Sequence, residues 1–434
     1  MMKYLFMVML TLMAASTLSI AEANFSRFRG ENHDGVVAGE KGLMRAWPEE
    51  GLKELWRIKL GKGYSSGVIY DEKVYVHDVE KNKDIIRTFD IANGQELWRC
   101  AYDSKPHNSQ SRANPTVDEN HVVSIGSDGT VACVDRKTGK LVWTIDLAKD
   151  LGLAITKEAK SSKLAVYGIA QNPLIDGDAV IIACCTPKSL MIKVELATGK
   201  ILWTTDNPKQ WTMTFTSITP MTFQGQKHYV YSTFEGVVGV SATDGKILWE
   251  YPEWKAEIWN EKADPPNYLP VIPSPIVVGP DKLFFCAQNV GKLGCLMLQL
   301  TQAEGDGIEP RKIFREKDMA SGIQTPIYFG GRIYGNGTDD GFICFSLEGK
   351  MLWRQKKMGP WPYLIADSMI YILDKAGQLH LLDASVPEFK ELAAWQIPFE
   401  GPKYYDAASW SPMAMSNGRL ILRLGDELVC LLVK

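Results

Sequence analysis

An eleven-residue pattern that returns along the whole chain constrains the fold before anything else does. It is clearest in Cys133-Val-Asp-Arg-Lys-Thr-Gly-Lys-Leu-Val-Trp143 and recurs at equal length over 88–98, 193–203 and 239–249, with a shorter copy over 344–353. Each copy reads as a short apolar strand, a polar residue that can bond turn amides, a glycine where φ must be positive, and a second strand ending in a large aromatic. That is a β-hairpin. Fainter copies end at Trp56, Phe314 and Trp395, so the terminal aromatics are Trp56, Trp98, Trp143, Trp203, Trp249, Phe314, Trp353 and Trp395. They recur roughly every 40 to 65 residues, near the one-blade period of a four-stranded propeller. The expectation is an all-β chain, an eight-bladed β-propeller of four-stranded antiparallel blades. Burial of the repeat tryptophans between blades would make Trp143→Ala cost roughly 3 to 5 kcal/mol.

The two ends of the chain fit the same scheme. The strand at 54–59 has no hairpin partner before it, while 419–424 and 427–433 supply two strands with no aromatic strand after them. Pairing of N- and C-terminal strands would close the ring and remove exposed edges. The propeller is therefore placed at 51–434, after a polar leading segment at 24–50. Residues 1–23 read as a signal peptide: Lys3, an apolar run over 4–18, and Ala21-Glu22-Ala23 as a small-residue cleavage site. Cleavage near Ala23 would deliver the mature protein outside the cytoplasm, periplasmic or secreted. Nothing later supplies the roughly 18 continuous apolar residues of a membrane helix, so no span is expected after signal removal.

Strand A of most blades opens with a small polar residue and a proline, as in Asn114-Pro115, Asn172-Pro173, Thr219-Pro220, Ser274-Pro275, Thr325-Pro326 and Ser411-Pro412. Proline lacks an amide donor and suits a strand with a free edge, which the innermost strand of a blade has. Ser66, Asn114, Asn172, Thr219, Ser274, Thr325 and Ser411 should then ring one mouth of the channel, either capping backbone amides or facing a ligand. Tyr64, Arg112, Gln171, Gln324 and Trp410 stand beside them, so the candidate ligand-binding set is Tyr64, Arg112, Asn114, Gln171, Asn172, Gln324 and Trp410. The tryptophans outside the repeats, Trp211, Trp254, Trp259, Trp361 and Trp410, all fall between a D strand and the next A strand. With Tyr251, Tyr268, Tyr404 and Tyr405 they form either an aromatic collar on that face or packing for the loops.

Chemistry motifs are sparse. A net charge of −3 with no basic stripe argues against nucleic acid. The six histidines lack metal-ligand spacing, and there is no haem-attachment or zinc-protease motif. No metal ligands and no catalytic residues are assigned. Of eight cysteines, Cys133, Cys295, Cys344 and Cys430 fall in C strands as small core residues. The adjacent pair Cys184-Cys185 is a candidate either for a vicinal disulfide or for a plain buried pair.

The A-x-D-x-x-T-G-x-x-x-W form of the repeat resembles the tryptophan-docking motif of pyrroloquinoline quinone (PQQ) type propellers. The opening Phe28-Arg-Gly-Glu-Asn-His-Asp-Gly35 with Trp47-Pro48 is similar to the start of the exported PQQ-binding-like proteins grouped with the outer-membrane assembly factor BamB. The resemblance implies that Asp135, Gly139, Trp143 and their counterparts build a girdle between blades. It leaves two functions of different class. One is a non-catalytic binding or scaffolding propeller, expected as a monomer, with a protein partner or small ligand at the aromatic face. The other is a dehydrogenase of alcohols or sugars using PQQ with calcium, for which Cys184, Cys185 and Arg112 would be the residues to test. The binding role is favoured, and no cofactor is firmly implied.

Overall fold

The computed structural model describes residues 24–154, 167–258, 271–287, 294–305, 307–319, 323–337, 341–356, 358, 362–399 and 410–434. Eight sheets follow one another around a ring. Blades 1 to 6 occupy 67–101, 116–146, 174–206, 219–251, 276–316 and 327–355, each with four antiparallel strands in chain order. Blade 7 occupies 363–396. Blade 8 takes its three inner strands from the C-terminus (Ala414–Ser416, Arg419–Leu424, Glu427–Leu432) and its outer strand, Lys53–Lys59, from the N-terminus. The outer strand runs antiparallel to Glu427–Leu432, with Trp56 opposite Cys430. The ring closes as the sequence predicts.

The repeat motif works between blades. In blade 2 the register shifts by one residue between Leu141 and Trp143, a bulge that leaves Val142 42% exposed and turns the tryptophan against the next blade. Its Nε1 donates to the Leu196 carbonyl at 2.7 Å. Trp98 reaches the Arg136 carbonyl in the same way (3.1 Å), and Trp56 the Ile91 carbonyl (2.8 Å). The repeat glycine is what lets the neighbour approach. Gly139 has φ +70°, and a Cβ there would stand 2.8 Å from the Trp98 ring. Gly94, Gly199 and Gly245 lie as closely on Trp56, Trp143 and Trp203. Trp143 is only half-buried, so the expected cost of Trp143→Ala falls to about 2 to 3 kcal/mol, below the range for a fully buried indole. A denaturant titration would measure it, and a loss under about 1 kcal/mol would mean the indole contributes little to the girdle.

Two aromatics depart from the pattern for a physical reason. In the outer hairpin of blade 5 Gly305 and Gly307 do not meet the preceding aromatic, and Trp249 turns into its own blade. Its Nε1 donates to His228 Nδ1 at 3.1 Å in space that Gly239 leaves open. Blade 7 meets Trp353 with Phe389, edge-on at 5.5 Å. Trp395 meets Gly51, so the N-terminal segment supplies the docking glycine for the eighth turn as well as the eighth outer strand.

The leading segment does more than precede the blades. It crosses the channel, bonding one innermost strand after another. Phe25 exchanges backbone hydrogen bonds with Ile69 of blade 1 (2.9 and 2.8 Å), Ser26 accepts from Val117 of blade 2, and Arg27 Nη1 donates to the Ile175 carbonyl of blade 3. Arg29 donates to the Thr325 and Pro326 carbonyls of blade 6 (2.9 and 2.8 Å), and Val36–Val37 pairs in parallel with blade 7. These are the free edges that the prolines mark. The segment satisfies them and plugs the channel beneath the mouth where the A strands begin.

Candidate functional site

Side chains at the starts of the A strands form a relay of hydrogen bonds from blade to blade. The amide of Ser66 donates to Asn114 Oδ1 (2.8 Å), that of Asn114 to Asn172 Oδ1 (2.7 Å), that of Asn172 to Ser217 Oγ (3.0 Å), that of Ser217 to Ser274 Oγ (2.9 Å), and that of Ser274 to Thr325 Oγ1 (3.0 Å). The capping role thus accounts for these oxygens. The blade 4 member is Ser217, not Thr219. Thr219 lies two residues further in and donates to the Pro275 carbonyl, as Thr116 does to the Pro173 carbonyl in blade 2.

Above the plug the ring encloses a cavity of about 220 Å³. Tyr64, Arg112, Asn114, Asn172, Gln324 and Trp410, all named from the sequence, line it. Trp410 stacks on Tyr64 with centroids 4.9 Å apart and planes 25° apart, and the Arg112 guanidinium lies 4.8 Å from the centroid of the same ring. Burial holds the Arg112 guanidinium below its ordinary pKa, opposed by Tyr64. Gln324 Nε2 donates to the Trp410 carbonyl at 3.4 Å. Phe28 from the plug, Tyr167 and Phe215 complete the aromatic wall, the last two edge-on at 6.1 Å. Sequence reasoning missed these three. Only Phe28 carried a signal, through its place in the quoted opening motif.

Gln171 does not join the site. It is fully buried and holds Ala183 by both backbone atoms, Nε2 to the carbonyl at 2.6 Å and Oε1 from the amide at 3.1 Å. The collar is also smaller than the loop aromatics allowed. Trp211, Tyr251 and Trp254 are buried and pack their loops onto the blades, while Trp259, Tyr268, Trp361, Tyr404 and Tyr405 lie outside the described residues. Cys184 and Cys185 are two buried thiols rather than a disulfide and do not line the cavity. Burial pushes the Cys184 thiol up to about 12, so it is not nucleophilic at neutral pH. Among the described residues no three His, Cys, Asp or Glu side chains cluster as metal ligands.

This architecture has counterparts. Residues 31–150 and 81–355 match the family described as outer membrane protein assembly factor BamB. The chain belongs to that family. Among solved structures it resembles BamB from Moraxella catarrhalis at 13% identity and a TM-score of 0.60, covering 88% of this chain and 99% of that one. Quinohemoprotein alcohol dehydrogenases are as close in fold. One from Pseudomonas putida HK5 has 11% identity and a TM-score of 0.59, and one from Comamonas testosteroni 12% and 0.60, each covering 95% of this chain and 80% of its own. At such identities the likeness is one of fold, shared by a BamB and by enzymes. No curated protein matches the chain by sequence.

Proposed function

We propose that this BamB-family chain is an exported, non-catalytic propeller that holds a small ligand, or a side chain of a protein partner, in the aromatic cavity at the channel mouth. The chemistry of the cavity carries the reading. Five aromatic side chains and one cation line it, with no carboxylate among the described lining residues. A hard divalent cation needs several oxygen ligands, and proton abstraction from an alcohol needs a base within hydrogen-bond reach. The side-chain oxygens nearest the ring, those of Asn114, Asn172, Ser217 and Ser274, already accept amide hydrogens from neighbouring blades. The several carboxylates of PQQ would face a single arginine. Calcium and PQQ therefore do not fit the described residues. Export follows from the signal-like 1–23, which lies outside the described residues, and accords with a family described by an outer-membrane assembly factor.

The test is calorimetric titration of the mature protein with PQQ plus Ca²⁺, followed by a dye-linked alcohol and aldose oxidation assay on the same sample. Neither tight binding nor turnover is expected. Sustained dye reduction that requires both PQQ and calcium would overturn the reading and restore the dehydrogenase.

A further inference from the structure

Among the described lining residues the one cation, Arg112, is answered only in part: it meets the hydroxyl and ring of Tyr64 and no carboxylate. Two other deeply buried arginines are answered by backbone carbonyls. Arg29 spends its guanidinium on the carbonyls of His33, Asp34, Thr325 and Pro326, and Arg423 spends its own on those of Gly61, Ser65 and Gly425. Arg112 makes no ion pair with a described residue, and its Nε is buried with no hydrogen-bond acceptor. No carboxylate raises its pKa; the neighbours that act on it are Tyr64 and Tyr167. A buried donor without an acceptor costs about 1 to 3 kcal/mol, more when charged. At Arg112 the fold tolerates that in the wall of an aromatic cavity.

We infer that the cavity takes a planar aromatic ligand carrying one anionic group, its ring packed among Trp410, Tyr64 and Phe28 and its anion received by Arg112. Each part answers a feature of the site. Flat aromatic walls favour a flat apolar body, through offset and edge-on ring contacts. The guanidinium is a planar fork matched to a carboxylate and is held in place by stacking on Tyr64. Asn114 offers a second donor. Its Oδ1 is fixed by the Ser66 amide, so its amide nitrogen, which bonds no described residue, is turned away from that contact on a side chain that lines the cavity. One cation and no acidic residue among the described lining residues select a single negative charge over a neutral, cationic or multiply charged ligand. The anion could belong to a free small molecule or to the end of a partner's chain.

The inference rests on the binding reading above, and the experiment separates the two. The mature protein is titrated calorimetrically with three congeners on one ring system: 2-naphthoate, 2-naphthol and 2-naphthylmethylamine. 2-Naphthoate is expected to bind best, and Arg112→Gln to weaken it roughly ten- to hundredfold, far more than it weakens 2-naphthol. Trp410→Leu should weaken the acid and the naphthol together. Cooperative melts of both variants establish that they fold. Equal binding of the three congeners, unaffected by Arg112→Gln, would overturn the anion preference while leaving a binding propeller. No binding of any congener at millimolar concentration would overturn the ligand class. Turnover with PQQ and calcium would remove the binding reading itself.

Discussion

Deleting residues 427–434 is expected to leave no cooperatively folded product. The strand Glu427–Leu432 is paired on both sides, to Arg419–Leu424 from the same terminus and to Lys53–Lys59 from the other. Leu428, Val429, Cys430, Leu431 and Val433 are fully buried. At roughly 1.5 to 3 kcal/mol for each large apolar side chain, their loss alone approaches the 5 to 15 kcal/mol that holds a typical domain folded. More goes with them. Lys53–Lys59 loses its partner strand, Arg57 and Lys59 lose Glu427 (2.7 and 2.8 Å), and the ring opens within blade 8, leaving Lys53–Lys59 and Arg419–Leu424 as two bare edges. Bare edges template association. Size exclusion should show aggregates or an expanded monomer, and the near-ultraviolet melt should lose its transition. An unchanged cooperative melt would refute closure as the source of stability.

The girdle was legible in the sequence because its chemistry is local. A polar turn residue, a glycine and an aromatic at fixed spacing specify a hairpin, and repetition specifies the ring. What the sequence hid is non-local or degenerate. Thr219 was placed in the mouth ring because Pro220 marks a strand A, but the true counterpart of Asn114 is Ser217. A slip of two residues keeps every side chain on the same face of a strand, so alternation gives no warning. Gln171 and Gln324 each precede a ring residue, Asn172 and Thr325, yet one clamps Ala183 and the other lines the cavity. Equivalent repeat positions diverge through neighbours that belong to no repeat. Trp249 fails to dock because the glycines of the blade 5 outer hairpin, Gly305 and Gly307, do not reach it, a placement that its own repeat does not encode. The plug was invisible as a plug, since its bonds join positions such as 27 and 175, or 29 and 325.

Arg29→Ala is expected to release that plug and to cost about 3 to 5 kcal/mol, because it strands several buried acceptors at once. The Arg29 side chain is 9% exposed and ties its own segment, through the His33 and Asp34 carbonyls, to the blade 6 edge at Thr325 and Pro326. Desolvation lowers its pKa to about 10, still far above neutral pH, so the charge persists and the four bonds are charge-assisted. Lysine cannot replace it. An ammonium is a compact point charge and would not span carbonyls on two segments as the planar fork does. Arg29→Lys should therefore recover little of the loss in a denaturant titration. Hydrogen exchange gives the local readout. The amides of Ile69, Val117 and Ile365 donate to Phe25, Ser26 and Gly35 of the plug, and all three should lose protection together in the variant while the central strands of the blades keep theirs. Phe28, between these anchors, would loosen with them, so the variant should also bind 2-naphthoate more weakly although Arg112 is intact. A loss below about 1 kcal/mol with the three amides still protected would show that the remaining strand-edge bonds hold the segment, and that Arg29 is not its anchor.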